Sequence, residues 1–173
     1  HQTVVIASGR IIRVGGVAEV LVPAGATVID GRGKFLLPGL ADMHVHLSTP
    51  AELPMFVGHG VLTVRDLNGS PQTLGWRAAT ASGAILGPRL FVSGPMLADS
   101  VPWKNKVTPR TAQEAATAVR AQQAEGYDQI KIYDGITSEV FRTAIQTARE
   151  LAMPSSGHIP PSVGFGAVLE SGM

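Results

Sequence analysis

The chain has 173 residues, 45% of them hydrophobic, and a formal net charge of +1 with no cysteine. This length and apolar content suit a folded domain with a sizeable core and exclude a disordered chain. Near-neutral charge without basic runs gives no electrostatic case for nucleic acid or an anionic membrane, and without thiolates any metal must be held by nitrogen and oxygen.

Only 16% of residues are charged, which points to extensive burial or to surfaces that meet more protein. No apolar run is long enough to span a bilayer. Residue 1 is histidine instead of methionine, so the true N-terminus is expected upstream. A soluble protein is expected, with the cytoplasm favoured and secretion left open should a signal peptide have been removed.

Thr3–Ile6, Arg10–Val14 and Thr27–Ile29 are β-branched runs separated by Ser8-Gly9, Gly15-Gly16 and Pro23-Ala24-Gly25. They read as a small antiparallel sheet in residues 1–35, with too few strands to stand alone. From residue 36 to 173 the pattern changes to an apolar strand followed by an amphipathic helix, repeated about every 30 residues, as in parallel βα units.

Strand one is Gly39–His46. Its helix starts at a Thr49/Glu52 capping-box spacing or nearer Leu53, given Pro54. Strand two is Val61–Asp66, followed by Ser70 as a cap and Pro71 at the first helical position. Strand three, Arg89–Ser93, leads into a long loop from Gly94 to Arg110 bearing Trp103, and Thr111 and Glu114 form a second capping box. Strand four is Asp128–Tyr133, followed by a helix over Ser138–Leu151; strand five is Met153–His158, followed by a helix over Ser162–Glu170. The expected fold is α/β, with five βα units, too few to close an eight-stranded (β/α)8 TIM barrel.

Within LLPGLADMHVHL, alternation places Leu40, Asp42, His44 and His46 on one strand face, opposite Ala41, Met43 and Val45. Two imidazoles on one face can meet a single zinc-like ion, although His-x-His also arises by chance. Functional residues of parallel barrels gather at the C-terminal ends of strands. Those ends carry His44 and His46, Arg65 and Asp66, Lys131 and Tyr133, and His158. An ammonium inside QIKIY is costly to bury without a partner, and an ion pair with Asp42 is the structural alternative to a functional role. Asp42 itself reads either as an acid that orients an imidazole or as a simple buried acid. His158 taken alone reads as structural, and Trp103 as a loop anchor or a substrate contact.

PGLADMHVHL, GVLTVRDLNG, GPRLFVSGP, GYDQIKIYDG and GHIP, in this order, resemble the amidohydrolase superfamily in its prolidase-like and imidazolonepropionase-like branch. The likeness runs over nearly the whole chain. It implies the first five βα units of a TIM barrel, preceded by part of a composite β-sandwich that C-terminal strands normally complete. It further implies that His44 and His46 hold a first metal, that Lys131 is carboxylated by carbon dioxide and bridges two metals as a catalytic group, and that His158 holds the second.

Two divalent ions are implied, zinc foremost with manganese or cobalt as alternatives, together with a binuclear-metal-activated hydroxide that hydrolyses a C–N bond of a small molecule, such as an amide, dipeptide or cyclic amide. Arg65, Tyr133 and Trp103 would face the substrate. Family members also supply a histidine on strand six and an aspartate on strand eight, beyond these residues, so the 173 residues alone are expected to be inactive and to need the C-terminal barrel half. Phosphotriesterase or lactonase chemistry on the same site, and a non-catalytic subunit completed by a partner chain, are the alternatives. Homo-oligomerisation is left open.

Overall fold

Two β-branched runs flanking Ser8-Gly9 pair as an antiparallel hairpin, β1 (Gln2–Ala7) against β2 (Arg10–Gly16). Both turn residues have positive φ, 49° at Ser8 and 71° at Gly9, the hand of turn that matches strand twist. The computed structural model describes residues 1–173, and this hairpin lies in the first of two compact units, His1–Pro38 and Gly39–Met173. Thr27–Ile29, expected as a third strand, is not one. The sheet has two strands, and Val28 and Ile29 lie exposed. β-branched sequence favours extended backbone, but a strand exists only where a ladder partner faces it.

In the second unit every sheet is parallel. One sheet has the order β3 (Leu40–Val45), β4 (Val61–Asp66), β5 (Arg89–Val92); the other has the order β7 (Lys106–Val107), β6 (Met96–Leu97), β8 (Ile130–Ile132), β9 (Ser155–Gly157). The two are stitched where β5 ends. Ser93 bridges Gln129 in parallel, and the Asp128 and Gly94 amides donate to the Val92 and Gln129 carbonyls at 2.8 and 3.1 Å. The loop Gly94–Arg110 is therefore more regular than its Pro-rich sequence suggests, since it contains β6 and β7.

Helices follow the main strands: α1 (Leu53–Gly58), α2 (Pro71–Ala81), α3 (Ala112–Ala124), α4 (Ser138–Glu150) and α5 (Phe165–Ser171). Both expected starts of the first helical segment occur, because the Thr49/Glu52 capping box opens a 3-10 turn, Pro50–Glu52, that runs straight into α1. The second expected capping box is only half made. Thr111 accepts from the Glu114 amide, but the Glu114 carboxylate accepts from the Arg110 amide at 2.7 Å instead of from Thr111. The last helix starts at Phe165, three residues later than expected, behind Gly164 at φ 78°. Parallel sheets with helices between strands are the α/β architecture that the alternating sequence pattern predicts.

The core sits between helices and strands. Val140, Phe141, Ala144, Ile145 and Ala148 share one face of α4 and pack with Ile130 and Ile132 of β8. A second cluster joins Val45, Val64, Leu90 and Val92 from β3, β4 and β5 to Leu53 of α1. Together they fix the strand ends on which polar side chains gather.

Candidate functional site

β3 departs from strict alternation. Its ladder to β4 steps from Asp42↔Val64 to Val45↔Asp66, so three steps on β3 match two on β4 and one extra residue is inserted beside His44. Such a bulge re-aims side chains and ends regular pairing. The expected common face of Asp42, His44 and His46 is thus a bulged one, yet the His44 and His46 rings stay close, 5.3 Å between centroids and nearly perpendicular at 77°. Asp42 Oδ1 accepts from the His44 backbone amide at 3.1 Å and so secures the bulge, while its charge acts on the His44 ring.

β8 presents the opposite environment. Ile130, Lys131 and Ile132 are all buried, with Lys131 only 2% exposed, and the chain's salt bridges do not include it. The ion pair with Asp42 is not formed. Burial pulls the Lys131 ammonium below the ordinary lysine range, the Arg65 charge adds to this, and Asp134 opposes it. A neutral amine is the form burial favours. His44 is likewise held below the usual imidazole range, first by burial, then by the charges of Lys131, His158 and Arg65. Burial, His44 and Lys131 lower His46.

His158 follows β9, where Gly157 runs so close to the Ile132 carbonyl that a methyl group there would overlap it. The ring lies on that of Tyr133, 4.0 Å between centroids, and its Nδ1 stands 3.5 Å from Asp134 Oδ2. Lys131 Nζ is 6.0 Å from the Tyr133 ring centre. Arg65 on β4 donates through Nε to the Met43 carbonyl at 2.8 Å, while its charge reaches His44 and Lys131. His44, His46, Lys131, His158, Arg65 and Tyr133 therefore share one rim.

Trp103 sits apart in the loop between β6 and β7, half exposed. One acid at the rim lay outside the expected strand ends, and a second, Asp66, was placed at the end of β4 without a role. Asp134, one residue past Tyr133, is the group that faces His158, and its place directly after a strand end was the available signal. Asp66 is fully buried, with Oδ1 accepting from the Asn68 amide and Oδ2 unpartnered. Burial pushes its carboxyl up to about 6.

No three His, Asp and Glu side chains stand close enough to ligate one ion. The donors that gather are imidazoles and a lysine, and a lysine nitrogen becomes an oxygen ligand only as its carbamate. A buried amine without an ion-pair partner, whose charge reaches the His44 and His46 rings, is the chemistry such a carbamate needs, so the residues present fit divalent cations held partly through a modified lysine.

No family model matches the chain. It is 29% identical over 167 residues, 90% of its length, to an adenine deaminase from Paracoccus denitrificans, and 39% identical over 91 residues to an enamidase from Eubacterium barkeri. A solved structure described as a prolidase, from Bifidobacterium longum, matches 93% of the chain at 29% identity with a TM-score of 0.78. The chain spans 28% and 23% of the two relatives and 45% of the solved chain. By sequence and by fold, the chain groups with the amidohydrolase superfamily, and what it matches is the amino-terminal portion of those proteins.

Proposed function

We propose that these residues supply the metal-holding part of a hydrolase that cleaves a C–N bond of a small molecule, an amide, dipeptide or cyclic amide. His44 and His46 would hold one divalent cation, His158 a second, and Lys131, carboxylated by carbon dioxide, would bridge them, with zinc the favoured metal. When bound, two such cations supply ionisation of a water near neutral pH and polarisation of the scissile group. The observation that carries this reading is Lys131, 2% exposed and without an ion-pair partner on the rim that gathers the three imidazoles. Carboxylation joins the neutral Nζ to the carbon of carbon dioxide and releases one proton, leaving an anion where burial had disfavoured a cation. Arg65 and Tyr133 flank that position, and Trp103 is the contact further out.

The reading takes Gly39–Met173 as the first five βα units of a TIM barrel, and His1–Pro38 as part of a small β-sandwich. Both would be completed by segments beyond those present, and the 173 residues alone would not turn over substrate.

The complete polypeptide that carries these residues, loaded with zinc under 13C-labelled carbon dioxide, should show a carbamate carbon resonance that is lost in Lys131→Met. It should also hydrolyse members of a panel of dipeptides and cyclic amides. Absence of the resonance overturns the bridging role of Lys131. Turnover of phosphotriesters or lactones alone replaces the C–N assignment, and no turnover of any probe favours a non-catalytic subunit.

A further inference from the structure

One side chain ties the loop Gly94–Arg110 to a strand end far from it in sequence. Asn105 Nδ2 donates to the Asn68 carbonyl at 3.1 Å, to Asn68 Oδ1 at 2.9 Å and to the Gly69 carbonyl at 2.8 Å, all just past β4. On its other flank the same loop meets the end of β8, where the Asp99 amide donates to the Asp134 carbonyl at 3.0 Å and the Tyr133 amide to the Leu97 carbonyl at 2.9 Å. Its base is closed by the Asp99–Arg110 ion pair at 3.3 Å and by Lys106 Nζ donating to the Val101 carbonyl. The loop thus straps the rim from the Arg65 strand to the Lys131 strand, and Trp103 is its exposed aromatic residue.

We infer that Asn105 is a positioning residue for substrate selection: its clasp on Asn68 and Gly69 fixes the strap and so holds Trp103 as a wall for substrates bearing an apolar or aromatic group beyond the scissile bond. A half-exposed indole on a free loop would lose conformational entropy at each binding event, whereas a clasped one has lost it in advance. Three acceptors converge on one amide nitrogen, so the clasp needs a donor at that position. An aspartate of the same shape offers only acceptors and sets a negative charge against three oxygens. The effect on substrates rests on the hydrolase reading above, while the effect on the loop does not.

The test uses the complete polypeptide with Trp76, the second tryptophan of these 173 residues, and every tryptophan outside them replaced by Phe, so that the fluorescence is that of Trp103. Acrylamide quenching of its fluorescence should rise in Asn105→Ala and rise further in Asn105→Asp, with the melting temperature of each variant confirming folding. With dipeptides carrying Ala, Leu or Phe as probes, KM for the Phe and Leu members should rise about tenfold in either variant while kcat stays within about twofold. Quenching unchanged in both, or Asn105→Asp matching the wild type, overturns the clasp. Altered quenching with KM unchanged overturns the role in selection. Altered quenching with neither these dipeptides nor the cyclic-amide panel hydrolysed by the parent retains the clasp and removes the hydrolase reading together with the role in selection.

Discussion

Strands β8 and β3 each bring nitrogen-bearing side chains to the rim, and they hold them in opposite ways. All three residues of β8 are buried, with Lys131 between two isoleucines; on β3 only Val45 is buried, while Asp42 and His44 lie exposed and His46 follows the last residue. On β8 the surroundings bias the amine towards its neutral form, because an ammonium there has lost its water and forms no ion pair, although Asp134 opposes the shift. On β3 the backbone does the positioning, through a bulge and one Asp42 hydrogen bond. On the proposed reading, the ligand that must first be modified is held in the dry strand, and the ligands usable as they stand are held in the wet one.

The sharpest separation comes from Lys131→Met. Methionine matches the length of the slot without the charge, so thermal stability should hold or rise, as when a buried charge gives way to an apolar side chain of similar volume. Hydrolysis by the complete polypeptide should fall by about a thousandfold or more in kcat/KM. A matching loss of melting temperature would show that Lys131 serves the fold instead.

Next in size is a pair of truncations measured by denaturant unfolding. Ile132→Ala removes a fully buried side chain from a cluster that also holds Phe141 and Val140, and should cost about 2 to 4 kcal/mol. Met43→Ala on β3 removes a side chain that is 45% exposed and should cost less than about 1 kcal/mol. Equal losses would mean that β3 is as buried in solution as β8.

Asp66, buried at the end of β4 beside the exposed β3, gives that sheet its own pH signature. Its folded-state carboxyl is raised from 3.8 to about 6, chiefly by burial, so the native state binds the proton more tightly than the unfolded chain does. Its contribution to stability is full below about pH 4 and is lost as pH climbs through about 6, by up to about 3 kcal/mol. Asp66→Asn keeps an acceptor for the Asn68 amide and removes the titration, so the fall in unfolding free energy between about pH 4 and pH 6 should flatten relative to the parent. An unchanged slope would assign it to other groups.

Much of this contrast was legible in the residues, for uneven reasons. The bounds of β4, the Ser70 cap and the Pro71 start of α2 were read correctly because capping chemistry is local. Burial of Lys131 followed from its isoleucine neighbours. The bulge in β3 was not legible, since an inserted residue is defined by the partner strand's register and not by its own sequence. Thr27–Ile29 failed as a strand for a related cause, a missing ladder partner. β6 and β7 were hidden in Gly94–Arg110 because two-residue strands have no periodicity to detect. Asp134 was missed because the rim was read from strand residues, and it lies one residue beyond Tyr133.

The smallest effect tests how the wet strand is held. Asp42 accepts from the His44 amide across two residues, an arrangement in which the side chain stands in for a backbone turn. Asp42→Ala should therefore cost about 0.5 to 1 kcal/mol, while Asp42→Asn, which keeps an amide oxygen as acceptor, should cost almost nothing. The Asp42 charge also raises His44 against the groups that depress it, so both substitutions should move the His44 titration to lower pH in an NMR experiment. If Asp42→Asn instead lowers zinc affinity as much as Asp42→Ala while stability holds, the carboxylate acts on the imidazole itself. β3 would then share with β8 a dependence on charge, and backbone geometry alone would no longer explain how it presents its histidines.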